Sequence, residues 1–275
     1  MSIASPVAEV LSFVCTLVRE RSAIELDASK TYLIEARLAP LAKQHGFATV
    51  TDFVIAVRTR RQREWETLLV EAMTTNETSF FRDVHPFEAL KTTILGELRK
   101  RSAAAHTINI WSAASSTGQE LYSVAMLLHE HFPDLATWKV QLLGTDLSEE
   151  VLRRAREARF TQLEVNRGLP APLLAKYFQR DGMFWQLRPE LRSMSTFRKM
   201  NLIETWPAMP LMDVVFLRNV LIYFSTDMKR RILQKVRRIM APQGALFLGA
   251  AETTMNLDSS FERVQVGNCV YYRPK

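Results

Sequence analysis

One stretch, Thr107 to Glu120 (TINIWSAASSTGQE), constrains the fold of this chain more than any other. It starts as a β-branched, apolar run, Thr107 to Trp111, of the kind that forms a buried strand. It then breaks into Ser112, Ala113, Ala114, Ser115, Ser116 and Gly118, which leave the backbone nearly bare. Glu120 follows on the first turn of a helix whose apolar positions are Leu121, Val124, Ala125, Leu127 and Leu128. A strand, a small-residue turn and a helix N-terminus are the parts of a nucleotide-type site in open α/β sheets.

The turn departs from the dinucleotide pattern Gly-x-Gly-x-x-Gly, since Gly118 is its only glycine. Alanine and serine also allow a ligand to come close to backbone. Glu120 would repel a pyrophosphate and attract a cationic ligand. S-adenosylmethionine, with its ammonium and sulfonium, is such a ligand.

Before this stretch, residues 6–73 carry helical signals only. Val10, Phe13, Val14, Leu17 and Val18 make one apolar face; Tyr32, Leu33, Leu38, Leu41 and Ala42 make a second, stopped at His45-Gly46. Thr51-Asp52 opens a third helix through Phe53, Val54 and Val57, and Trp65, Leu68, Leu69 and Met73 mark a fourth. A helical domain over residues 1–75 is the expectation. Between its last two helices run Arg58, Arg60, Arg61 and Arg63, which are either a solvated helix end or a docking surface for an acidic partner.

Residues 74–83 (TTNETSFFRD) begin like a linker, but Phe80 and Phe81 require burial against the following domain. His85-Pro86 starts a helix through Leu90, Ile94 and Leu98. After the opening strand and helix, Trp138 to Gly144 reads as strand two, ending in Thr145-Asp146, with Ser148-Glu149-Glu150 capping the next helix. Asp146 stands where adenosine-binding folds place the acid for the ribose, although an acid after a strand is also a common loop feature. Met183 to Leu187 and Met194 to Phe197 read as strands of a small antiparallel insertion at about 160–198, followed by a core strand reaching Met200-Asn201-Leu202. Asp213 to Leu217 is a buried strand leading into Arg218-Asn219-Val220-Leu221-Ile222-Tyr223-Phe224, and 226–240 a basic amphipathic helix. Pro242-Gln243-Gly244 turns into strand 245–249, and a hairpin around Gly267-Asn268 closes the chain. A parallel sheet that ends in an antiparallel hairpin is the order of a methyltransferase; a dehydrogenase sheet stays parallel.

Composition narrows the function classes. Two cysteines are too few for a disulfide framework, which makes a reducing cytoplasm the expectation. The N-terminus lacks a basic n-region and Glu9 interrupts its apolar run, so no signal peptide is expected. No run is long and apolar enough to span a membrane. The five histidines are scattered without metal-ligand spacing, and neither a Gly-x-Ser-x-Gly elbow nor a phosphate loop is present. The net charge of +7 lies outside the neutral residues 1–75 and points to an acidic partner.

Four motifs now stand in order: NETSFFR (76–82), WSAASSTGQE (111–120), GTD (144–146) and RNVLIYF (218–224). Together they closely resemble the CheR-type chemotaxis receptor methyltransferases, and the likeness covers nearly the whole chain. Gln119 stands where that family often has Glu, and Leu121 where it often has Pro. The resemblance implies a class I S-adenosylmethionine-dependent methyltransferase fold: a mostly parallel seven-stranded sheet ending in an antiparallel hairpin, within domain 76–275. It implies methyl transfer to chemoreceptor glutamates, giving γ-glutamyl methyl esters and S-adenosylhomocysteine, without a metal.

By motif, Asn76, Thr78 and Arg82 are expected to line the site, with Ala113 in the turn. Glu120 is expected at the methionine ammonium, Asp146 at the ribose, and Asn201 and Leu202 at the adenine. Leu217, Arg218 and Asn219 close it, and Tyr223 stands near the methyl with Arg82 as the second catalytic candidate. The implied partners are the methylation helices of chemoreceptors. Some relatives tether to a receptor C-terminal peptide through a longer, glycine-containing loop; here Gln179 to Met183 is short, and independence of the tether is expected. A nucleic-acid methyltransferase is disfavoured, because no proline pair follows the strand that ends at Leu217. A non-catalytic cofactor sensor is disfavoured by Arg82, Glu120, Asp146 and Tyr223 occurring together.

Overall fold

The computed structural model describes residues 6–26, 31–60 and 62–275. These form two compact units. One gathers the described residues up to Thr75 with Tyr223–Met228; the other holds Asn76–Ile222 and Lys229–Lys275.

The first unit has four helices: α1 (Pro6–Ser22), α2 (Thr31–Gln44), α3 (Val50–Arg60) and α4 (Arg63–Ala72). Both α1 and α2 pack on α3 and α4. Val14 and Val18, one helical turn apart on α1, fill the core with Leu38, Phe53 and Leu69 from the other three helices. Gly46 stops α2 in the left-handed conformation (φ 79°) that a Cβ disfavours. Within the arginine run, Arg58 and Arg60 complete α3 and Arg63 opens α4, while Arg61 lies outside the described residues.

The second unit opens with α5 (His85–Ala89) and α6 (Leu95–Arg101), which the sequence reads as one helix. A π-helical stretch, Leu90–Ile94, joins them. Then come β1 (Thr107–Ala113), α7 (Gln119–His131), β2 (Lys139–Asp146) and α8 (Glu149–Glu157), whose N-cap Ser148 accepts the N–H of Val151. A small antiparallel sheet follows, built from β3 (Arg159–Thr161), β4 (Phe178–Asp181) and β5 (Phe184–Leu187). The helices α9 (Gln162–Asn166), α10 (Ala171–Tyr177) and α11 (Pro189–Arg192) surround its strands in sequence. The chain returns as β6 (Ser195–Lys199), β7 (Met212–Leu217), α12 (Thr226–Ile239), β8 (Met240–Leu248), β9 (Phe261–Val266) and β10 (Cys269–Pro274).

The seven main strands lie in the order β6-β2-β1-β7-β8-β10-β9. The first five run parallel and the last two pairings are antiparallel. This is the class I S-adenosylmethionine-dependent methyltransferase sheet, and β1, largely buried, is the middle one of its five parallel strands. The main chain reverses direction of strand order at β1, so its C-terminal end and those of β2 and β7 frame the crevice where ligands bind in such sheets.

Two expectations from sequence need correction. Met194–Phe197 belongs to the central sheet, not to the insertion: β6 pairs in parallel with β2, Phe197 opposite Gly144. The core strand stops at Lys199, so Met200, Asn201 and Leu202 follow it as loop. Pro242-Gln243-Gly244 lies within β8, in the irregularity where β8 advances from Met240 to Ala245 while β7 advances from Met212 to Val214. Among the described residues, no helix is long and apolar enough to cross a membrane.

Candidate active site

The turn after β1 is made almost entirely by backbone. Ala114 and Ser116 take left-handed angles (φ 56° and 50°), and Gly118 (φ 91°) caps α7. The Ser115 N–H donates to the Thr145 carbonyl at 2.9 Å, and the Gly118 N–H to the Ser115 carbonyl at 3.0 Å. Glycine is required by a ring as well as by φ. A Cβ on Gly118 would lie 3.0 Å from both Phe197 and Tyr122, and one on Gly144 only 2.5 Å from Phe197. Gln119 is buried and its amide oxygen accepts the Thr117 hydroxyl at 2.7 Å, so a neutral amide suits this position.

Two carboxylates stand at this edge. Asp146, at the tip of β2, is buried; one oxygen accepts the Ser116 N–H at 2.9 Å and the other the Ser148 N–H at 3.1 Å. Glu120 sits on the first turn of α7, its side chain 13% exposed. One Glu120 oxygen accepts the Ser112 hydroxyl at 2.8 Å and the other accepts Arg218 Nη1 at 2.8 Å.

Arg218, just past β7, is the hub of the site. Its side chain is 2% exposed. The second terminal nitrogen donates to Asp83 at 2.6 Å and to the Arg82 carbonyl at 2.9 Å. A buried guanidinium needs such partners to offset its lost hydration. The fork spans both groups in one plane, which a lysine could not do.

The segment 76–83 is pinned to the same place. The Ser116 hydroxyl donates to the Asn76 carbonyl at 2.8 Å, and the Phe81 N–H donates to Ser123 on α7 at 2.9 Å. Phe80 is fully buried against Phe160 and Phe178, with ring centroids 5.0 and 5.7 Å away, and Phe81 meets Phe87 edge-on. Thr78 and Arg82 are half-buried, and the Arg82 guanidinium donates to the Glu77 carbonyl at 2.9 Å. Arg167 hydrogen-bonds the Glu77 carboxyl at 2.6 Å and holds it below the usual carboxylate range, with the charge of Arg82 adding to the effect.

The remaining candidates fall as follows. Ala113 and Leu217 are the buried last residues of β1 and β7, and Asn219 turns the chain at φ 58°. The Met200 N–H on the Asp146 carbonyl, at 2.8 Å, brings the 200–202 loop to the tip of β2. There Leu202 is buried and Asn201 accepts the Ile203 N–H at 3.2 Å. Tyr223 groups with the helical unit, where its carbonyl accepts the Glu25 N–H at 3.1 Å. In that unit Arg58 lies 3.6 Å from Glu9, Arg60 stacks 5.0 Å over Trp65, and Arg63 is exposed.

Sequence reasoning missed Asp83, Ser112 and Glu252. The Glu252 carboxylate accepts the N–H groups of Gly249, Asn219 and Ile222. Asp83 carried a weak signal as the next residue after Arg82; the other two depend on how distant loops meet. Beside Arg218 opens a cavity of about 370 Å³ lined in part by Asp83, His85, Glu252, Arg263 and Tyr272. Cys269 borders it, and burial pushes its thiol pKa up, which disfavours the reactive thiolate.

Residues 76–270 match the family described as CheR methyltransferase, SAM binding domain, and residues 9–74 match CheR methyltransferase, all-alpha domain. The chain belongs to the CheR methyltransferase family. It is 40% identical over 256 residues to a protein named chemotaxis protein methyltransferase 1 of Pseudomonas aeruginosa, covering 92% of this chain and 93% of that one. Chemotaxis protein methyltransferase Cher2 of Pseudomonas putida is 36% identical, with 92% and 93% covered. Chemotaxis protein methyltransferase 1 of Vibrio cholerae is 36% identical over 266 residues, covering 95% of each chain.

S-adenosylmethionine is the cofactor of this CheR chain, and the residues present fit it. Two carboxylates, Glu120 and Asp146, stand beside the turn, and the buried Ser115 hydroxyl has no partner among the described residues, a donor set that suits a cationic, hydroxyl-bearing ligand. Among the described residues, no group of three or more His, Cys, Asp or Glu side chains is placed to hold a metal ion.

Proposed function

We propose that this chain is a protein-glutamate O-methyltransferase acting on the cytoplasmic methylation helices of chemoreceptors. The products are γ-glutamyl methyl esters and S-adenosylhomocysteine. The observation that carries this reading is the Arg218 bridge. One guanidinium ties Glu120, a cofactor-side carboxylate, to Asp83 and the Arg82 backbone, on the acceptor side.

S-adenosylmethionine supplies, when bound, a methyl group on a good leaving group. In this reading Glu120 takes its ammonium and Asp146 its ribose hydroxyls. Asn201 and Leu202 flank the adenine; Ala113, Leu217, Arg218 and Asn219 shape the walls; Asn76 and Thr78 border the methyl end. The acceptor glutamate has a reference pKa of about 4.3 and is already ionised near neutral pH. Its oxygen would take the methyl carbon, and the cofactor would supply the leaving group, its sulfur keeping the electron pair of the carbon–sulfur bond. No proton moves, so the enzyme's task is alignment, which can supply on the order of 7–11 kcal/mol. Arg82 orients the acceptor carboxylate loosely, since a tight pair would stabilise the ground state. Tyr223 shapes the methyl passage.

Methyl label from the cofactor, incubated with chemoreceptor membranes, is expected to enter protein in base-labile form. Base-stable label, or label in RNA or DNA, sinks the reading. Arg82→Ala is expected to keep cofactor affinity within about threefold while losing most turnover, because orientation rather than binding is removed. Equal losses in both would remove Arg82 from that role.

Arg58, Arg60, Arg61 and Arg63 form the docking surface for the acidic receptor helices. Reversing Arg60 and Arg61 together is expected to raise the receptor KM with cofactor affinity intact. The β4–β5 connection is a tight turn at Gly182, which supports independence of a receptor C-terminal tether. Calorimetry with a receptor C-terminal pentapeptide should give no tight binding. The site of action in this reading is the cytoplasm, without membrane insertion and without nucleic acid.

A further inference from the structure

Glu252 lies three residues beyond Gly249, in the turn that follows β8, where its own N–H donates to the Gly249 carbonyl at 2.9 Å. Its carboxylate points back and gathers three backbone donors. One oxygen accepts the N–H of Gly249 at 2.6 Å and of Asn219 at 2.8 Å; the other accepts the N–H of Ile222 at 3.2 Å. Two of these donors belong to the loop after β7. Within it Asn219 turns the chain through φ 58°, and a single 3-10 turn, Leu221–Tyr223, follows. Donors left unpaired in a part-buried loop would be costly.

The crowding at Gly249 is an independent sign that the carboxylate is built into the fold. A Cβ there would lie 2.7 Å from the Glu252 oxygen and 2.8 Å from both the backbone and side-chain nitrogens of Asn219. Glycine at this position makes room for the clamp. The held loop begins with Arg218, whose fork joins Glu120, Asp83 and the Arg82 carbonyl. It ends at Ile222, the residue that precedes Tyr223 in the chain.

We infer that Glu252 is a positioning residue for methyl transfer: it fixes residues 218–222 and, through Arg218, the alignment of the Glu120 carboxylate with the acceptor segment. In this inference Glu252 acts through the backbone it holds. A misplacement near 1 Å of such a support can cost about 100-fold in rate. The inference rests on the methyl-transfer reading above for its kinetic arm only.

The test uses the full chain. Glu252→Ala is expected to lower kcat about 100-fold, with the acceptor KM within about threefold. Glu252→Gln, which retains one acceptor oxygen but turns an amide N–H toward the backbone donors, should fall between wild type and alanine. Gly249→Ala, which leaves the charge in place but displaces the carboxylate, should reproduce the kcat loss. A lowered melting temperature with kcat unchanged per folded molecule overturns the inference and leaves Glu252 a stability residue. Amide exchange in the wild-type chain decides the clamp without any acceptor. The amides of Gly249, Asn219 and Ile222 should be protected, and should exchange faster in Glu252→Gln than the amides of β1 do. Exchange at open-loop rates in the wild type overturns the clamp even where alanine fails to fold. Absence of methyl transfer by the wild type, with those amides protected, instead sinks the acceptor reading alone.

Discussion

The turn after β1 and the loop after β7 end neighbouring strands, yet they are held by opposite means. The first is a backbone structure. Small residues, three left-handed angles and backbone N–H···O=C bonds, one of them to Thr145 on β2, define it, and Asp146 joins through the Ser116 N–H. The second is held by side chains brought from far away in sequence: Arg218 onto Asp83 and Glu120, and Glu252 onto Asn219 and Ile222. A backbone turn tolerates side-chain change as long as volume stays small. A side-chain clamp tolerates changes in volume but not in charge or reach.

Arg218→Ala gives the sharpest break. It strips Glu120 and Asp83 of their shared cation, and losing one partner of a buried pair costs about 3 kcal/mol. Denaturant unfolding should show that loss, and calorimetry should show weaker cofactor binding. Arg218→Lys should recover little, because a single ammonium cannot replace the fork. Full recovery by lysine would mean that the loop needs charge only and would blur the contrast.

Gly144→Ala tests the other side. The added methyl meets the Phe197 ring at 2.5 Å, and overpacking of this kind costs about 2 kcal/mol. Its effect should add to that of Arg218→Ala, since the two sites share no partner. The smallest effect is expected for Ser112→Ala, which removes one hydrogen bond to Glu120, about 1 kcal/mol. Because Arg218 binds the same carboxylate, a double-mutant cycle of Ser112 with Arg218 should show coupling where the cycle of Gly144 with Arg218 shows none. Additivity in both cycles would mean that the two regions are not organised differently.

Legibility in the sequence follows the same division. The β1 turn, Glu120 and the tip of β2 at Asp146 could be read locally, because a strand period, small residues and a helix period follow one another within a few residues. The burial required by Phe80 and Phe81 was also readable; that Phe80 would find Phe160 and Phe178 was not. The sequence places Met194–Phe197 in the insertion because a short strand after Pro189 carries no mark of its partner. Pairing with β2 is what puts Phe197 against Gly144 and Gly118.

The sequence by itself determined the helical first unit, the order of the main-sheet strands apart from β6, the small-residue turn and the acids beside it. These follow from periodicity and local sterics, which act over a few residues. Tertiary structure alone decided that Arg218 would join Glu120 to Asp83, that β6 would leave the insertion for the main sheet, and that Glu252 would hold the loop before Tyr223. Each depends on a hydrogen bond or a pairing between segments tens of residues apart, and such bonds select their partners only once the sheet has brought the strand ends together.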